Sequence, residues 1–295
     1  MTFRLANVEG RSALVDADGH WFDVSRISRG AISADPMGAW AQLDDLHLAA
    51  GDLSEAVPDG TIGDVDLRPP IPSPRSVFAV GLNYRAHADE STMSVPDVPL
   101  VFTKFPSCLA GPTDPVILGG TTDDYEAELV AVIGHGGRHI RPEDAWSHVG
   151  GLTIGQDISD RTLQFASKPP HFDLGKSRDT YGPIGPVVVS TDSFADPGDL
   201  LISCAVNGER RQEDRTSNLI FDVPTLISYL SGILTLSPGD LIFTGTPAGV
   251  GAASLQFLGD GDVITTTIEG IGTMTNRCRA AKPTDLDNQP SRISN

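Results

Sequence analysis

Short apolar runs separated by glycine and proline turns recur along most of the chain. The runs are VFT, LVAVI, LTI, PVVV, LIFT and VITTTI, at 101–103, 129–133, 152–154, 186–189, 241–244 and 263–268. Runs of this length that are rich in branched residues are typical of buried strands, and the 31 glycines and 22 prolines supply the turns between them. The pattern predicts an α+β fold that is mainly β. It does not show the regular strand–helix alternation of a doubly wound sheet.

Three further segments have recognisable patterns, and one of them divides the chain. RSALVDADGHWFDVS, residues 11–25, predicts a hairpin, and DVDLRPPIPSPRS, residues 64–76, has four prolines and predicts a linker. VPTLISYLSGILTL, residues 223–236, has apolar residues at helical spacing and predicts a helix packed on the core. We therefore expect a boundary near residue 70, with a small N-terminal α+β domain over 1–70, a larger domain over 71–280 and a polar, disordered tail over 281–295.

The net charge of the chain argues against two classes of partner. The formal net charge is −18, from 39 acidic and 21 basic residues, which disfavours nucleic acid and anionic membranes because both are negatively charged. The three cysteines have no zinc or disulfide spacing, and no stretch approaches the ~20 apolar residues of a membrane span. We expect a cytoplasmic protein with a small-molecule substrate.

Two glutamates lie at the start of one apolar run, in YEAELVAVIG. Side chains alternate between the faces of a strand, so Glu126 and Glu128 point the same way, towards a core that disfavours paired negative charges. A cation is therefore expected beside them, unless both glutamates lie at a solvated strand end. Asp157 follows the run 152–154, and with the glutamates it would complete an all-oxygen set suited to Mg²⁺, Mn²⁺ or Ca²⁺. The alternative role for Asp157 is to cap the helix that follows it.

Other segments carry groups suited to acid–base and anion chemistry. His87 and Glu90 in NYRAHADE have the i, i+3 spacing that places both on one helical face, where the carboxylate would raise the basicity of the imidazole. The alternative is a surface pair without a role. Lys176 could neutralise an enolate or lie in solvent, and the glycines of FTGTPAGVG could bring backbone N–H groups close to an anion or form only a turn.

The order of these motifs resembles that of the fumarylacetoacetate hydrolase family, over roughly residues 70–280. The motifs are VGLNYRAHADE, FTKFPSCLAGPTDPV, DYEAELVAVIG, GQDISDRTLQ, GKSRDTYGPIGPVVV, VNGERRQEDRTSNLIFDVPTLISYLS and LSPGDLIFTGTPAGVG. The resemblance implies a mixed β-roll that closes into a barrel-like core, in a homodimer.

The resemblance also implies a role for each candidate residue. It assigns metal binding, most often of Mg²⁺, to Glu126, Glu128 and Asp157. It assigns catalysis to His87, Glu90 and Lys176, and substrate binding to Arg161, Gln164 and Thr246. The dyad of His87 and Glu90 is that of the acylpyruvase-like branch of the family.

One position departs from the pattern of the eponymous hydrolases. They carry a further aspartate ligand seven residues before their histidine, whereas this chain has Val80 there. This difference argues against fumarylacetoacetate as the substrate and favours smaller 2-oxo acids.

Together these features predict a metal-dependent hydrolase that cleaves a C–C bond in a 2,4-dioxo acid of the acylpyruvate or fumarylpyruvate type. The substrate would chelate the cation through its 2-oxo group and carboxylate, which makes an enolate accessible, while His87 activates water. The same residues would also suit an isomerase of 2-hydroxymuconate-like dienols or a decarboxylase of oxaloacetate-like acids. A non-catalytic 2-oxo acid binding protein is a further alternative, which the presence of both His87 and Glu90 disfavours.

Overall fold

Strands dominate the computed structural model, which describes residues 2–51, 53, 56–90 and 95–281. The strands of these residues are β1 Arg4–Val8, β2 Arg11–Val15, β3 His20–Asp23, β4 Gly60–Thr61, β5 Leu67–Arg68, β6 Val77–Gly81, β7 Leu100–Thr103, β8 Leu109–Ala110, β9 Val116–Leu118, β10 Asp123–Asp124, β11 Ala127–Ile133, β12 Val149–Gln156, β13 Ser159–Asp160, β14 Gly182–Val189, β15 Leu201–Val206, β16 Glu209–Arg215, β17 Leu241–Phe243, β18 Val263–Ile268 and β19 Gly272–Ala280. The predicted mixed fold, mainly β, is confirmed.

Helices are few and short. They are α1 Val24–Ile27, α2 Pro36–Trp40, α3 Leu43–Gly51, α4 Arg85–Glu90, α5 Arg161–Gln164, α6 Val223–Ile233 and α7 Gly251–Ser254. The 3-10 helices are Ile62–Asp64, Pro106–Cys108, Pro142–His148, Leu174–Lys176, Thr191–Ser193 and Thr216–Asn218. No helix among the described residues is long and apolar enough to cross a membrane.

A twelve-stranded sheet forms the centre of the protein. Ten of its strands follow the order β4-β3-β2-β1-β14-β12-β11-β17-β6-β7, and β5 and β8 pair with β1 and β14. A five-stranded sheet has the order β16-β15-β18-β19-β9, and β10 pairs with β13.

No strand pairing within the described ranges joins β4 to β7, so the large sheet is open and the expected barrel-like closure is not confirmed. β1 pairs with β14, so the N-terminal strands extend the large sheet from that strand to β4.

The apolar run 129–133 lies in strand β11, which is buried on both faces of the sheet. It lies between β12 and β17, with which it pairs antiparallel, and all seven residues are buried. Leu129, Ala131 and Ile133 face one hydrophobic cluster, whereas Val130 and Val132 face another. The alternation predicted from the run 129–133 is therefore confirmed, with a core on each side of the sheet.

Of the other predicted segments, the hairpin and the helix form, whereas the predicted linker over 64–76 contains strand β5, which pairs with β1. β2 and β3 make the hairpin around Asp18 and Gly19. α6 buries Leu226, Ile227 and Leu230, but Ile233 at its end is 60% exposed, so the core-facing stripe ends before the helix does. The division at residue 70 remains a prediction, and the sheet continues across it. The expected tail lies outside the described residues except for residue 281.

Candidate active site

The topology brings the candidate residues to one end of the large sheet. Because β11 is antiparallel to β12 and β17, its first residues lie beside the last residues of both strands. β6 is parallel to β17 and ends on the same side. The two glutamates at the start of β11, the aspartate after β12, helix α4 after β6 and the glycine loop after β17 therefore converge.

Three acidic side chains form the centre of this site. Glu126, Glu128 and Asp157 are buried, and one oxygen from each lies within 4.8 Å of the others. Asp157 does not cap α5, because Asp160 does so by accepting a hydrogen bond from the backbone N–H of Leu163 at 3.0 Å. The structure thus favours the ligand interpretation of Asp157 over the capping alternative.

Two buried lysines supply much of the positive charge. The Nζ atom of Lys176 donates to Glu126 Oε2 and Asp157 Oδ2, both at 2.7 Å, and to Ser159 Oγ at 2.9 Å. Lys104 Nζ donates to the other oxygen of Asp157, also at 2.7 Å. The ammonium of Lys176 therefore lies inside the carboxylate cluster and not in solvent.

The pKa values of the two glutamates shift in opposite directions. Burial opposes ionisation of Glu126, but the positive charges of Lys176 and Arg161 outweigh it and hold the pKa of Glu126 far below its usual value. Burial, and then the negative charges of Asp157 and Glu126, raise the pKa of Glu128 well above its usual value. Its carboxylate accepts a hydrogen bond from the backbone N–H of Gly245 at 2.7 Å.

A divalent cation fits these donors. Carboxylate oxygens are the ligands that Mg²⁺, Mn²⁺ and Ca²⁺ prefer, and a cation would stabilise the negative charge of Glu128 that burial and the neighbouring carboxylates disfavour. The three residues that would hold the cation are Glu126, Glu128 and Asp157.

Arg161 and Gln164 lie on helix α5 beside the cluster. Arg161 Nη2 donates to Glu126 Oε1 at 2.6 Å and to Asp124 Oδ2 at 2.7 Å, and Nη1 donates to Gln164 Oε1 at 3.0 Å. Asp124 also accepts hydrogen bonds from the backbone N–H groups of Gly251 and Ala252. Arg161 is thereby fixed between two carboxylates.

The spacing of His87 and Glu90 produces a direct contact. On helix α4, His87 Nδ1 lies 2.8 Å from Glu90 Oε1, and both residues line the cavity that the glutamates enter. With Nδ1 donating to the carboxylate, the other ring nitrogen, Nε2, is the basic one and can accept a proton. The pair is therefore arranged for acid–base chemistry.

The glycine-rich loop after β17, residues 245–249, holds two carboxylates through backbone N–H groups. Gly249 donates its backbone N–H to both oxygens of Glu90 at 3.1 and 3.0 Å, while Gly245 binds Glu128. Both glycines have positive φ, +104° and +103°, and a Cβ on Gly249 would overlap the carbonyl of Arg211. The predicted close approach of backbone N–H groups to anions is therefore present, with the protein's own carboxylates as the anions.

Thr246 lines the cavity, but its hydroxyl is engaged within the protein. Its Oγ1 donates to the carbonyl of Ala127 and accepts from Gln212 Nε2, each at 2.8 Å. A substrate contact by Thr246 remains a prediction.

The cavity at this site has a volume of about 440 Å³. Its apolar lining includes Val80, Leu82, Phe102, Phe165, Phe172 and Val250. The position that departs from the eponymous hydrolases, Val80, thus forms part of the cavity wall and adds apolar surface there.

Sequence reasoning missed two charged residues of this site. Lys104 lies within the motif FTKFPSCLAGPTDPV, but no spacing links it to Asp157, which lies 53 residues away. Asp124 immediately precedes Tyr125 in the motif that carries the glutamates, and its acidity was the available signal.

These carboxylates, lysines and the His–Glu pair on this fold define a class of enzymes. Residues 76–279 match the family described as "Fumarylacetoacetate (FAA) hydrolase C-terminal". The chain belongs to the fumarylacetoacetate hydrolase family. Its relatives in that family are named as hydrolases, isomerases and tautomerases.

Individual relatives are similar to this chain over most of its length. Oxaloacetate tautomerase FAHD2B, mitochondrial, of Bos taurus is 41% identical over 218 residues, which are 72% of this chain and 69% of that protein. A Mycobacterium smegmatis structure provisionally described as HpcE is 44% identical, with a TM-score of 0.89 over 95% of this chain and 100% of that one. Maleylpyruvate hydrolase from Sphingobium sp. SYK-6, in complex with manganese(II) and pyruvate, is 30% identical, with a TM-score of 0.79 over 95% and 100%.

Proposed function

We propose that this protein is a divalent-metal-dependent hydrolase that cleaves a C–C bond in a 2,4-dioxo acid of the acylpyruvate type. The observation that carries the proposal is the contact of His87 with Glu90 in the same cavity as the carboxylates of Glu126 and Glu128. A bound Mg²⁺, or alternatively Mn²⁺ or Ca²⁺, would supply a Lewis acid that polarises the 2-oxo group of the substrate. The manganese and pyruvate in the maleylpyruvate hydrolase structure support this assignment.

The roles of the side chains follow from their contacts. Glu90 holds the imidazole of His87 through Nδ1, so Nε2 can take a proton from water. The resulting hydroxide adds to the 4-oxo carbon, the C3–C4 bond breaks, and its electron pair passes to C3. His87 returns the proton to C3, so the products are pyruvate and a carboxylic acid.

Arg161 and Lys176 set the electrostatics of this step. Both are charged groups beside Glu126, and their fixed positions would favour negative charge that develops on the substrate without reorganisation. Gln164, bonded to Arg161, would help to orient the substrate.

Tautomerisation is the second candidate reaction. The name of the 41% identical Bos taurus relative, oxaloacetate tautomerase, favours it. His87 would then move a proton between C3 and the enol oxygen, and no water would be consumed. Isomerisation of a dienol would use the same proton transfer, whereas decarboxylation would not require the base.

One assay separates these reactions. Purified protein with Mg²⁺ is given acylpyruvates and oxaloacetate, and enol absorbance is followed together with pyruvate from a coupled lactate dehydrogenase reaction. Hydrolysis predicts loss of absorbance with one pyruvate per acylpyruvate, whereas tautomerisation predicts an absorbance change without pyruvate.

The His87→Ala variant tests the residue that carries the proposal. It should lose turnover but keep the rise in Tm that Mg²⁺ produces, whereas His135→Ala, on an exposed residue, should keep both. Unchanged turnover in His87→Ala would contradict the proposed mechanism.

We also propose a cytoplasmic homodimer, as the family resemblance implies. Light scattering coupled to size-exclusion chromatography tests the dimer, and a monomer at micromolar concentration would contradict it. Cell fractionation tests the location, since the Bos taurus relative is named as mitochondrial.

A further inference from the structure

Three phenylalanines form one continuous wall of the active-site cavity. Phe102 borders the carboxylate cluster, because the Lys176 ammonium lies 5.1 Å from its ring centroid. The ring of Phe172 meets that of Phe102 edge to face at 5.6 Å, and that of Phe165 meets Phe172 at 6.0 Å. The wall therefore leads away from the cluster, from Phe102 through Phe172 to Phe165.

The outer end of this wall exposes apolar surface. Phe165 is 50% exposed and lines the cavity, so part of its ring contacts water. Removing such surface from water favours binding of a hydrocarbon group, and a charged group would lose hydration there without gaining a partner.

The cations that line the cavity are already committed to carboxylates. Among the described lining residues, Lys176 uses its three N–H groups on Glu126, Asp157 and Ser159. Arg161 is bound to two carboxylates. Neither Lys176 nor Arg161 is therefore free to pair with a second carboxylate on a substrate.

We infer that Phe102, Phe172 and Phe165 form a subsite for an uncharged hydrocarbon group, so the preferred substrate is a 2-oxo acid with no second carboxylate at its far end. The inference rests on the proposed function and specifies the substrate class of the same site. It predicts that oxaloacetate, the dicarboxylate for which the Bos taurus relative is named, is not the preferred substrate of this chain.

A matched pair of ligands tests the subsite. 2,4-Dioxoheptanoate and 2,4-dioxoheptanedioate differ only in the group at the far end, a methyl in one and a carboxylate in the other. Their binding is measured by calorimetry on the Mg²⁺-loaded His87→Ala protein, in which turnover is blocked, and their kcat/KM on the wild type. We expect the monocarboxylate to bind about tenfold or more tightly.

Variants of Phe165, at the outer end of the wall, test whether its ring causes this preference. Phe165→Ala should reduce the ratio of the two affinities towards one, and Phe165→Lys should shift it towards the dicarboxylate because it adds a cation. Phe105→Ala is the control, since Phe105 is similarly exposed at 45% but does not line the cavity. It should leave the ratio unchanged.

Three results would overturn the inference, and they show whether the proposed function fails with it. Equal or tighter binding of the dicarboxylate, or a ratio that Phe165→Ala leaves unchanged, would refute the subsite while leaving the proposed function in place. Failure of both ligands to bind the Mg²⁺-loaded protein would refute both.

Discussion

Lys104 Nζ lies 2.7 Å from Asp157 Oδ1, and neither side chain is exposed to solvent. The opposite oxygen of Asp157 is bound by Lys176, so a single carboxylate is held between two ammonium groups. Removing either ammonium group would leave the buried carboxylate with one charged partner and no contact with water. The contact therefore fixes the position of Asp157 within the cluster.

Lys104→Met should destabilise the protein by about 1.5–3 kcal/mol, because the buried Asp157 loses one of its two lysine donors and keeps only Lys176. Urea unfolding followed by circular dichroism measures the change. Lys168→Met, at an exposed lysine, is the control and should be near neutral. A loss in Lys104→Met no larger than in the control would show that the pair does not contribute to stability.

Glu128→Gln should have opposite effects on stability and on metal binding. Without metal the variant should melt at a higher temperature than the wild type, because folding of the wild type buries a carboxyl group whose ionisation is opposed by burial and by Asp157 and Glu126, whereas an amide does not ionise. Affinity for Mg²⁺ should fall by more than about 100-fold, since a proposed ligand is lost. Melting in EDTA and in Mg²⁺ measures both effects.

Glu209→Gln provides the comparison for that variant, because Glu209 is a surface residue whose side chain is 70% exposed. It should leave the Tm unchanged both in EDTA and in Mg²⁺. Retention of the full Mg²⁺-dependent shift in Glu128→Gln would remove Glu128 from the proposed ligand set.

Gly249→Ala should destabilise the protein by more than about 1 kcal/mol and lower turnover. Its φ of +104° disfavours alanine, and the new Cβ would displace the loop that holds Glu90. Gly232→Ala is the matched control, because Gly232 lies in α6 with open space around it. That variant should be neutral or stabilised by up to about 1 kcal/mol. Equal effects of the two substitutions would contradict this account of the loop.

The buried thiols should make the protein less stable at alkaline pH. Burial raises the pKa of Cys204 and of Cys278 to about 12, from an ordinary value of 9.0. As pH rises above 9.0, the thiols of the unfolded chain ionise while those of the native protein stay protonated, so the free energy of unfolding falls. Urea unfolding over this pH range measures the fall.

Alkylation by iodoacetamide gives an independent measurement of the same property. All three cysteines are buried, so the native protein should react much more slowly than protein unfolded in urea at the same pH. Rapid labelling of Cys204 or Cys278 in the native protein would contradict the raised pKa values.

The contact between His87 and Glu90 was predictable because it is local. A spacing of three residues on one helical turn places both side chains on the same face, whatever surrounds the helix. The alternation in β11 was predictable for the same reason, since the period of a strand follows from its backbone geometry.

Other features depend on contacts between distant segments. Asp157 reaches Glu126 because Gln156 is paired with Ala127 across β11 and β12, and that register is set by packing on both faces of the sheet. The extension of the large sheet by the N-terminal strands likewise depends on the pairing of β1 with β14, which lie far apart in the chain.

The amino-acid sequence by itself determined which residues carry charge, which segments form strands, and which neighbours along the chain meet. Only the tertiary structure decided that Lys104 and Lys176 share Asp157, while Glu128 is bound through the backbone of Gly245. The physical reason is that Coulomb and desolvation energies depend on distance in space and on burial. Both are set by the packing of strands that lie far apart in the chain.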